Sequence, residues 1–270
     1  MRKWLSIAIL ILTVGVLTAC GSGDKDDKTL KIGATPGPFA EMVTKAFKPG
    51  LEELGYKVEL VEFTDYIQPN NALATGSIDA NVFQNQVYME TFAEQNDMDL
   101  SEVIVVPTSP MVVYSDTFET IEEIEEGSEM ALPNDPTNMG RALFILEQVG
   151  LITLKDDVSH LTISEKDIKD NFKNLKFRPI DAAQTPRAAE DVALSAVPGN
   201  YAFAANMKIE DGIMVEDMKD IFRNRVVIDT KNKDEQFVKD IKKVVESEEF
   251  EKVIDEHFPD FTKPDWMKNR

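Results

Sequence analysis

Three short stretches hold the side chains best suited to grip a small polar molecule. The first, residues 82–88, reads Val-Phe-Gln-Asn-Gln-Val-Tyr, with three consecutive side-chain amides flanked by apolar and aromatic residues. Gln and Asn are costly to bury unless each donor and acceptor finds a partner. The stretch is therefore either a solvated corner or one wall of a site that is both apolar and polar. Asn85 can cap a following helix, with Phe83 closing the strand before it and Tyr88 in the first helical turn. A cap alone would also account for Asn85 with no ligand.

The second stretch, residues 133–143, contains Asp135 followed by Pro136, an N-cap with proline at the first helical position. The free N–H groups and positive dipole end of such a helix favour an anion. Asn138 and Arg141, three apart, can line one face of it, and the planar arginine fork matches a carboxylate in two parallel hydrogen bonds. The competing reading is an arginine that pairs with a nearby acid. The third stretch is Pro198-Gly199-Asn200-Tyr201. Here glycine permits close backbone approach and Asn and Tyr supply neutral hydrogen-bonding groups, although a turn before a helix needs no more than this.

Bond-making chemistry finds little support. The two histidines, His160 and His257, lie beside no nucleophile or metal-ligand set, and Cys20 is the single cysteine, so a metal trio or a histidine-based triad is not assembled. The acidic run at residues 122–126 fits a solvated helix face better than an acid and base pair. There is no P-loop and no dinucleotide fingerprint. No catalytic residue, metal or cofactor is expected.

The elements that must position the three stretches follow from hydrophobic rhythm. Strand-like runs at 29–34, 56–63 and 78–83 alternate with a helix over 38–54. A second set has strands at 129–133, 175–180 and 193–197 with a helix over 136–148. Such alternation predicts an α/β protein of βαβ units with largely parallel sheets, and ligands of such sheets sit beyond the carboxyl ends of the strands, where all three stretches fall. At 270 residues one core usually gives way to two. The run 103–114, interrupted by Pro107 and Pro110, reads as the crossing between lobes. A strand at 225–229 and the apolar spacing of Phe237, Ile241, Val244 and Val245 make the tail a helical return to the first lobe. The expected organisation is lobe one over 29–110, lobe two over 111–225 and a return over 226–270, with two hinge crossovers.

The chain opens with Arg2 and Lys3 and then runs uncharged to Ala19. That is a signal-peptide pattern over residues 1–19, too short for a comfortable bilayer span. Its end, Leu17-Thr18-Ala19-Cys20, resembles the lipobox of bacterial lipoproteins, which makes Cys20 the lipidation site and residues 20–28 a flexible tether. A formal net charge of −20 argues against nucleic acid and anionic headgroups as partners.

Several longer motifs, in order, are similar to the NlpA family of lipoproteins, the MetQ-type methionine-binding components of ABC importers. They are residues 32–38 (IGATPGP), 62–70 (EFTDYIQPN), 79–84 (DANVFQ), 134–143 (NDPTNMGRAL) and 199–202 (GNYA). The resemblance implies a two-lobed type-two periplasmic-binding fold that closes on an amino acid. It implies that Arg141 clamps the ligand carboxylate, that Asn138, Asn200 and Asn224 make polar contacts, and that Tyr66, Phe83 and Tyr88 wall a pocket for a thioether side chain, a favourable partner for ring edges. Where the family reads Phe-Gln-His-x-Pro-Tyr, this chain has Asn85 for the His and Val87 for the Pro. Asn85 is thereby the position expected to set ligand preference.

The leading expectation is a lipid-anchored binding protein on the extracytoplasmic face of the cell membrane. It would capture methionine or a close analogue and deliver it to an ABC permease and its ATPase. The alternative is a surface lipoprotein that uses the same fold for another neutral amino acid or a dipeptide, or for protein contact without transport.

Overall fold

The computed structural model describes residues 28–156, 158 and 163–269. The signal peptide, Cys20, the tether up to residue 27 and His160 lie outside the described residues. Two five-stranded sheets organise the rest. The first, in the order β2-β1-β3-β12-β4, is built from β1 (Lys28–Ala34), β2 (Tyr56–Glu62), β3 (Ala80–Asn85), β4 (Leu100–Val105) and β12 (Asn224–Asp229). The second, in the order β11-β5-β10-β6-β9, is built from β5 (Val112–Tyr114), β6 (Glu129–Pro133), β9 (Lys176–Ile180), β10 (Leu194–Val197) and β11 (Met214–Val215). A separate pair joins β7 (Ile152–Leu154) to β8 (Ile168–Asn171).

The sheets are mixed rather than largely parallel. The βαβ partners are parallel, β1 with β2 and β3, and β6 with β9 and β10. The strands next to the crossings are antiparallel: β12 with β3 and β4, and β5 with β10 and β11. Connectivity dictates this, because the chain leaves lobe one at the end of β4 and re-enters at the start of β12, at the same edge of the lobe. Strands entering and leaving at one edge must run in opposite senses. β12 begins at Asn224, opposite Asn85, so the return starts two residues ahead of the boundary read from the sequence. The crossings are tied together by Val106 N–H donating to Asn224 O (2.8 Å) and Glu216 N–H donating to Met111 O (3.0 Å).

Each lobe has its own core. In lobe one, Ile32, Val82, Val226 and Ile228 pack with Phe39, Met42 and Phe47 of the first helical run. That run is α-helical over Pro38–Met42, π-helical over Val43–Phe47 and α-helical again over Lys48–Glu53. The wider turn precedes Pro49, which has no N–H to continue an α-helical ladder. The tail is two helices, Gln236–Val245 and Glu248–His257, with Ser247 capping the second through Phe250 N–H (3.2 Å). Ile241, Val244, Val245, Phe250 and Ile254 join the lobe-one core. In lobe two, Leu132, Leu143, Leu146 and Leu194 form the centre. Residues 122–126 are turns and coil, not the helix face expected. Glu123 instead receives the N–H groups of Glu119 (2.9 Å) and Thr120 (3.3 Å), the local side-chain bonding that competes with helix.

β3, the middle strand of lobe one, is buried along its whole length although half of it is amide: Asn81, Gln84 and Asn85. The cost is offset by a closed amide cluster with Asn70. Asn70 Nδ2 donates to Gln84 Oε1 (2.8 Å), Gln84 Nε2 donates to Asn70 Oδ1 (2.6 Å) and Asn81 Oδ1 (2.9 Å), and Asn81 Nδ2 donates to Asn70 Oδ1 (3.0 Å). Deleting one member orphans the others, at about 1–3 kcal/mol per unsatisfied group. Asn70→Ala is therefore expected to lower unfolding stability by at least ~1 kcal/mol in urea titrations; a change within a few tenths would show that the cluster is dispensable.

Candidate functional site

The carboxyl ends of the parallel strands in both lobes face one cleft. After β1 comes Thr35; after β3, the Gln86–Asn96 helix; after β6, the Pro136–Gln148 helix; after β10, the short Gly199–Ala204 helix. Between them lies a small cavity. Lobe one contributes Tyr66, Phe83, Asn85, Tyr88 and Asn224, lobe two contributes Asn138, Arg141 and Asn200, and all eight residues singled out from the sequence line this cavity. Gln84 and Gly199, from the first and third stretches, line it as well, and sequence reasoning missed Phe39, Thr108 and Ser109. Thr108 and Ser109 sit in the first crossing, where the prolines drew attention to a break and not to hydroxyls.

Each polar corner is locally built. Asn85 caps its helix, its Oδ1 accepting Tyr88 N–H at 2.9 Å. Capping and lining are compatible, because with the oxygen engaged Asn85 still has its Nδ2 donor to offer. Asp135 caps the Pro136–Gln148 helix through Asn138 N–H (2.9 Å) and also accepts from Asn138 Nδ2 at 3.0 and 3.1 Å. Burial raises the Asp135 carboxyl, with the Asn138 hydrogen bonds and Arg141 opposing. Gly199 must be glycine on packing grounds, since a Cβ there would lie 2.5 Å from Pro110 O and from Ser109 Oγ.

Among the described residues, Arg141 is the one charged side chain lining the cavity. The carboxylate that pairs with it was not foreseen: Arg141 Nε donates to Glu216 Oε1 (2.9 Å) and Nη2 to Glu216 Oε2 (2.6 Å), with both side chains about 95% buried. Nη1 donates to Asn138 Oδ1 at 2.9 Å. Three of the five N–H groups of the fork are thus engaged, and one on each Nη remains. Burial acts to lower the Arg141 pKa, but the charge and hydrogen bonds of Glu216 outweigh it and the net shift is upward. The competing readings of Arg141 are therefore both realised in one side chain, with an acid on one edge and the cavity on the other. Glu216 also accepts Met111 N–H at 2.9 Å, which anchors it to the crossing.

The apolar wall is a ring cluster. Tyr66 stacks on Phe83 at 5.9 Å and meets Tyr88 and Tyr201 with centroids at 5.9 and 5.2 Å; Phe83 and Tyr88 are edge-to-face at 5.9 Å. Polar contacts span the lobes at the same place. Tyr66 Oη donates to Asn200 Oδ1 (2.7 Å), Asn200 Nδ2 to Thr35 Oγ1 (3.3 Å) and Tyr201 Oη to Thr64 O (3.4 Å). Asn224 Nδ2 donates to Phe83 O at 2.7 Å, fixing the end of β3. The arrangement brings a cationic fork, aromatic rings and neutral amides to one cavity.

Comparison with known proteins gives one consistent answer. The family model described as NlpA lipoprotein matches residues 30–266. The chain is 38% identical over 259 residues to a probable D-methionine-binding lipoprotein MetQ of Vibrio cholerae serotype O1, covering 96% of each chain. It is 36% identical over 236 residues to the D-methionine-binding lipoprotein MetQ of Escherichia coli K12, covering 86% of this chain and 87% of that one. Among solved structures, a nutrient binding protein from Burkholderia cenocepacia bound to methionine is similar with a TM-score of 0.83 at 34% identity, over 87% of this chain and 99% of that one. A methionine binding protein, MetQ, gives a TM-score of 0.83 at 35% identity, over 88% and 99%.

The rings also carry a pH signature. Burial, with Asp135 and Asp65 adding to it, raises the Tyr88 phenol well above its usual value, and burial likewise raises Tyr66 and Tyr201. An unfolded tyrosine ionises near 10. Because the folded values lie higher, this stabilisation is complete below about pH 10 and is lost as pH rises above it toward the folded values. Melting temperatures measured from pH 9 to 12 are expected to fall less steeply in Tyr88→Phe than in the parent protein. Equal slopes would remove Tyr88 from the account.

Proposed function

Because the chain belongs to the NlpA lipoprotein family, we propose that it is the substrate-binding component of an ABC importer that captures methionine or a close analogue between its lobes. The observation that carries this reading is Arg141: a buried fork held by Glu216 and Asn138, with one N–H on each Nη left over, in one cavity with Tyr66, Phe83 and Tyr88. A bidentate carboxylate partner suits the fork, and a thioether suits the ring edges. Asn85, Asn138, Asn200 and Asn224 supply the neutral donors and acceptors around an α-ammonium. The names of the relatives, which are binding proteins for methionine, favour the same ligand and support a binding role.

Capture couples to closure because the site is divided. The carboxylate partner stands on lobe two and the rings on lobe one, so a ligand meets its full set of contacts only when the lobes approach. Contacts made in one state alone shift the equilibrium toward that state. The contacts from Tyr66 to Asn200 and from Asn200 to Thr35 would join that closed set. Anchorage would raise the concentration of the receptor beside its permease. Cys20 as the lipid-bearing residue, on the extracytoplasmic face of the membrane, accords with relatives that are named lipoproteins.

Two experiments test the reading. Calorimetric titration of the purified protein is expected to detect methionine binding, and Arg141→Ala to weaken it by about 2–5 kcal/mol, the cost of truncating one partner of a buried charge pair. Binding that survives the substitution intact would take Arg141 out of the site. In cells, the full-length chain is expected in the membrane fraction and Cys20→Ala outside it; identical fractionation would exclude a lipid on Cys20.

A further inference from the structure

Resting on the amino-acid-binding reading above, the geometry points to Glu216 as the residue that sets the charge of ligand the site accepts: it cancels the Arg141 charge, so that a zwitterion closes a neutral buried cluster and an acid anion does not.

Glu216 is not among the residues lining the cavity, and it touches the ligand only through Arg141. Its Oε1 and Oε2 take the Nε and Nη2 edge of the fork at 2.9 and 2.6 Å, and Met111 N–H holds Oε2 in place at 2.9 Å. The pair is almost wholly buried, so its charges are weakly screened. The Asp135 carboxylate, bound to Asn138 and close enough to act on the Arg141 charge, is not among the residues lining the cavity, and its contribution is common to both ligands and to every variant compared. Among the described residues no Asp or Glu lines the cavity itself, so a ligand ammonium meets amide oxygens there. Arg141, Glu216 and a zwitterionic amino acid sum to zero. Replacing the ligand ammonium by a hydroxyl leaves one uncompensated negative charge in a desolvated place, which is costly.

The same arithmetic reverses when Glu216 is neutral. Glu216→Gln keeps the side-chain length and an oxygen for Met111 N–H, but it leaves the Arg141 charge unbalanced. A monoanion then completes a neutral cluster and a zwitterion leaves a surplus positive charge. A residue that only braced Arg141 would weaken both ligands alike. The ratio of the two affinities separates the roles.

The probes are methionine and 2-hydroxy-4-(methylthio)butanoate, which share side chain and carboxylate and differ in ammonium against hydroxyl. Isothermal titration calorimetry at pH 7 is expected to give a wild-type preference for methionine of at least ten-fold. In Glu216→Gln the ratio should move at least ten-fold toward the hydroxy acid, and in Glu216→Asp, which keeps the charge, it should stay near the wild-type value even as both affinities drop. An unmoved ratio in folded Glu216→Gln, or an equal move in Glu216→Asp, overturns the inference. Should Glu216→Gln fail to fold, the wild-type protein still decides, since equal binding of the two probes overturns it. Wild-type protein that binds neither probe overturns the functional reading, and this inference with it.

Discussion

The site is organised around one buried cation. Arg141 stands on a helix of lobe two, and its partner Glu216 stands where the chain leaves that lobe, 75 residues later. Their pairing fixes the fork, because both carboxylate oxygens are used and Met111 of the other crossing holds the carboxylate in turn. Desolvating two charges is expensive, and buried pairs of this kind are weak devices for stability. What the pair achieves is placement: a guanidinium with two N–H groups in reserve, held at the edge of a cavity and tied to the hinge. Every other feature of the cleft can be read as an accommodation to that cation, from the neutral amides around it to the rings in the same cavity.

Lobe one answers with a different solution to burying polarity. β3 carries its amides into the interior, and the Asn70, Asn81 and Gln84 cluster satisfies them without a charge. A fully satisfied buried network is rigid and specific, while a partly satisfied one is a liability. The rigidity is delivered to the end of the strand, where Phe83 is pinned through its carbonyl by Asn224 and Asn85 turns the chain into the next helix. The consecutive amides of this stretch thus divide their roles. Gln84 belongs mainly to the interior network, while Asn85 belongs to the cap and the cavity together.

Much of this was legible in the sequence, for physical reasons that also explain what was not. Asp135 with Pro136, and Asn85 before Tyr88, announce helix starts through local chemistry, so the corners that bear Asn138, Arg141 and Tyr88 could be found without a fold. The strand and helix rhythm is likewise local, and so are the prolines at 107 and 110. Glu216 is a different matter. It follows a two-residue strand in an acidic stretch beside Asp217, and nothing in its neighbourhood distinguishes it from a solvated carboxylate; its meaning comes from a contact distant in sequence. Asn224 and Tyr66 entered only through family resemblance for the same reason. The run at 122–126 failed in the opposite direction, because a cluster of glutamates has helical propensity that the turn at Glu123 overrides with its own hydrogen bonds.

The division of the site between lobes explains why neither half need be a good receptor alone. Lobe one offers rings and amides, which bind an apolar side chain weakly and with little directional demand. Lobe two offers a cation already half satisfied by Glu216 and Asn138, which would hold a carboxylate only modestly while exposed to water. Bringing the halves together removes water from both, and each electrostatic contact gains strength as the local dielectric falls. A ligand that supplies a carboxylate at one end and an apolar chain at the other makes the two gains simultaneous. Closure driven in this way would discriminate against ligands that carry only one of the two ends, because half a ligand leaves either the fork or the rings desolvated without a partner.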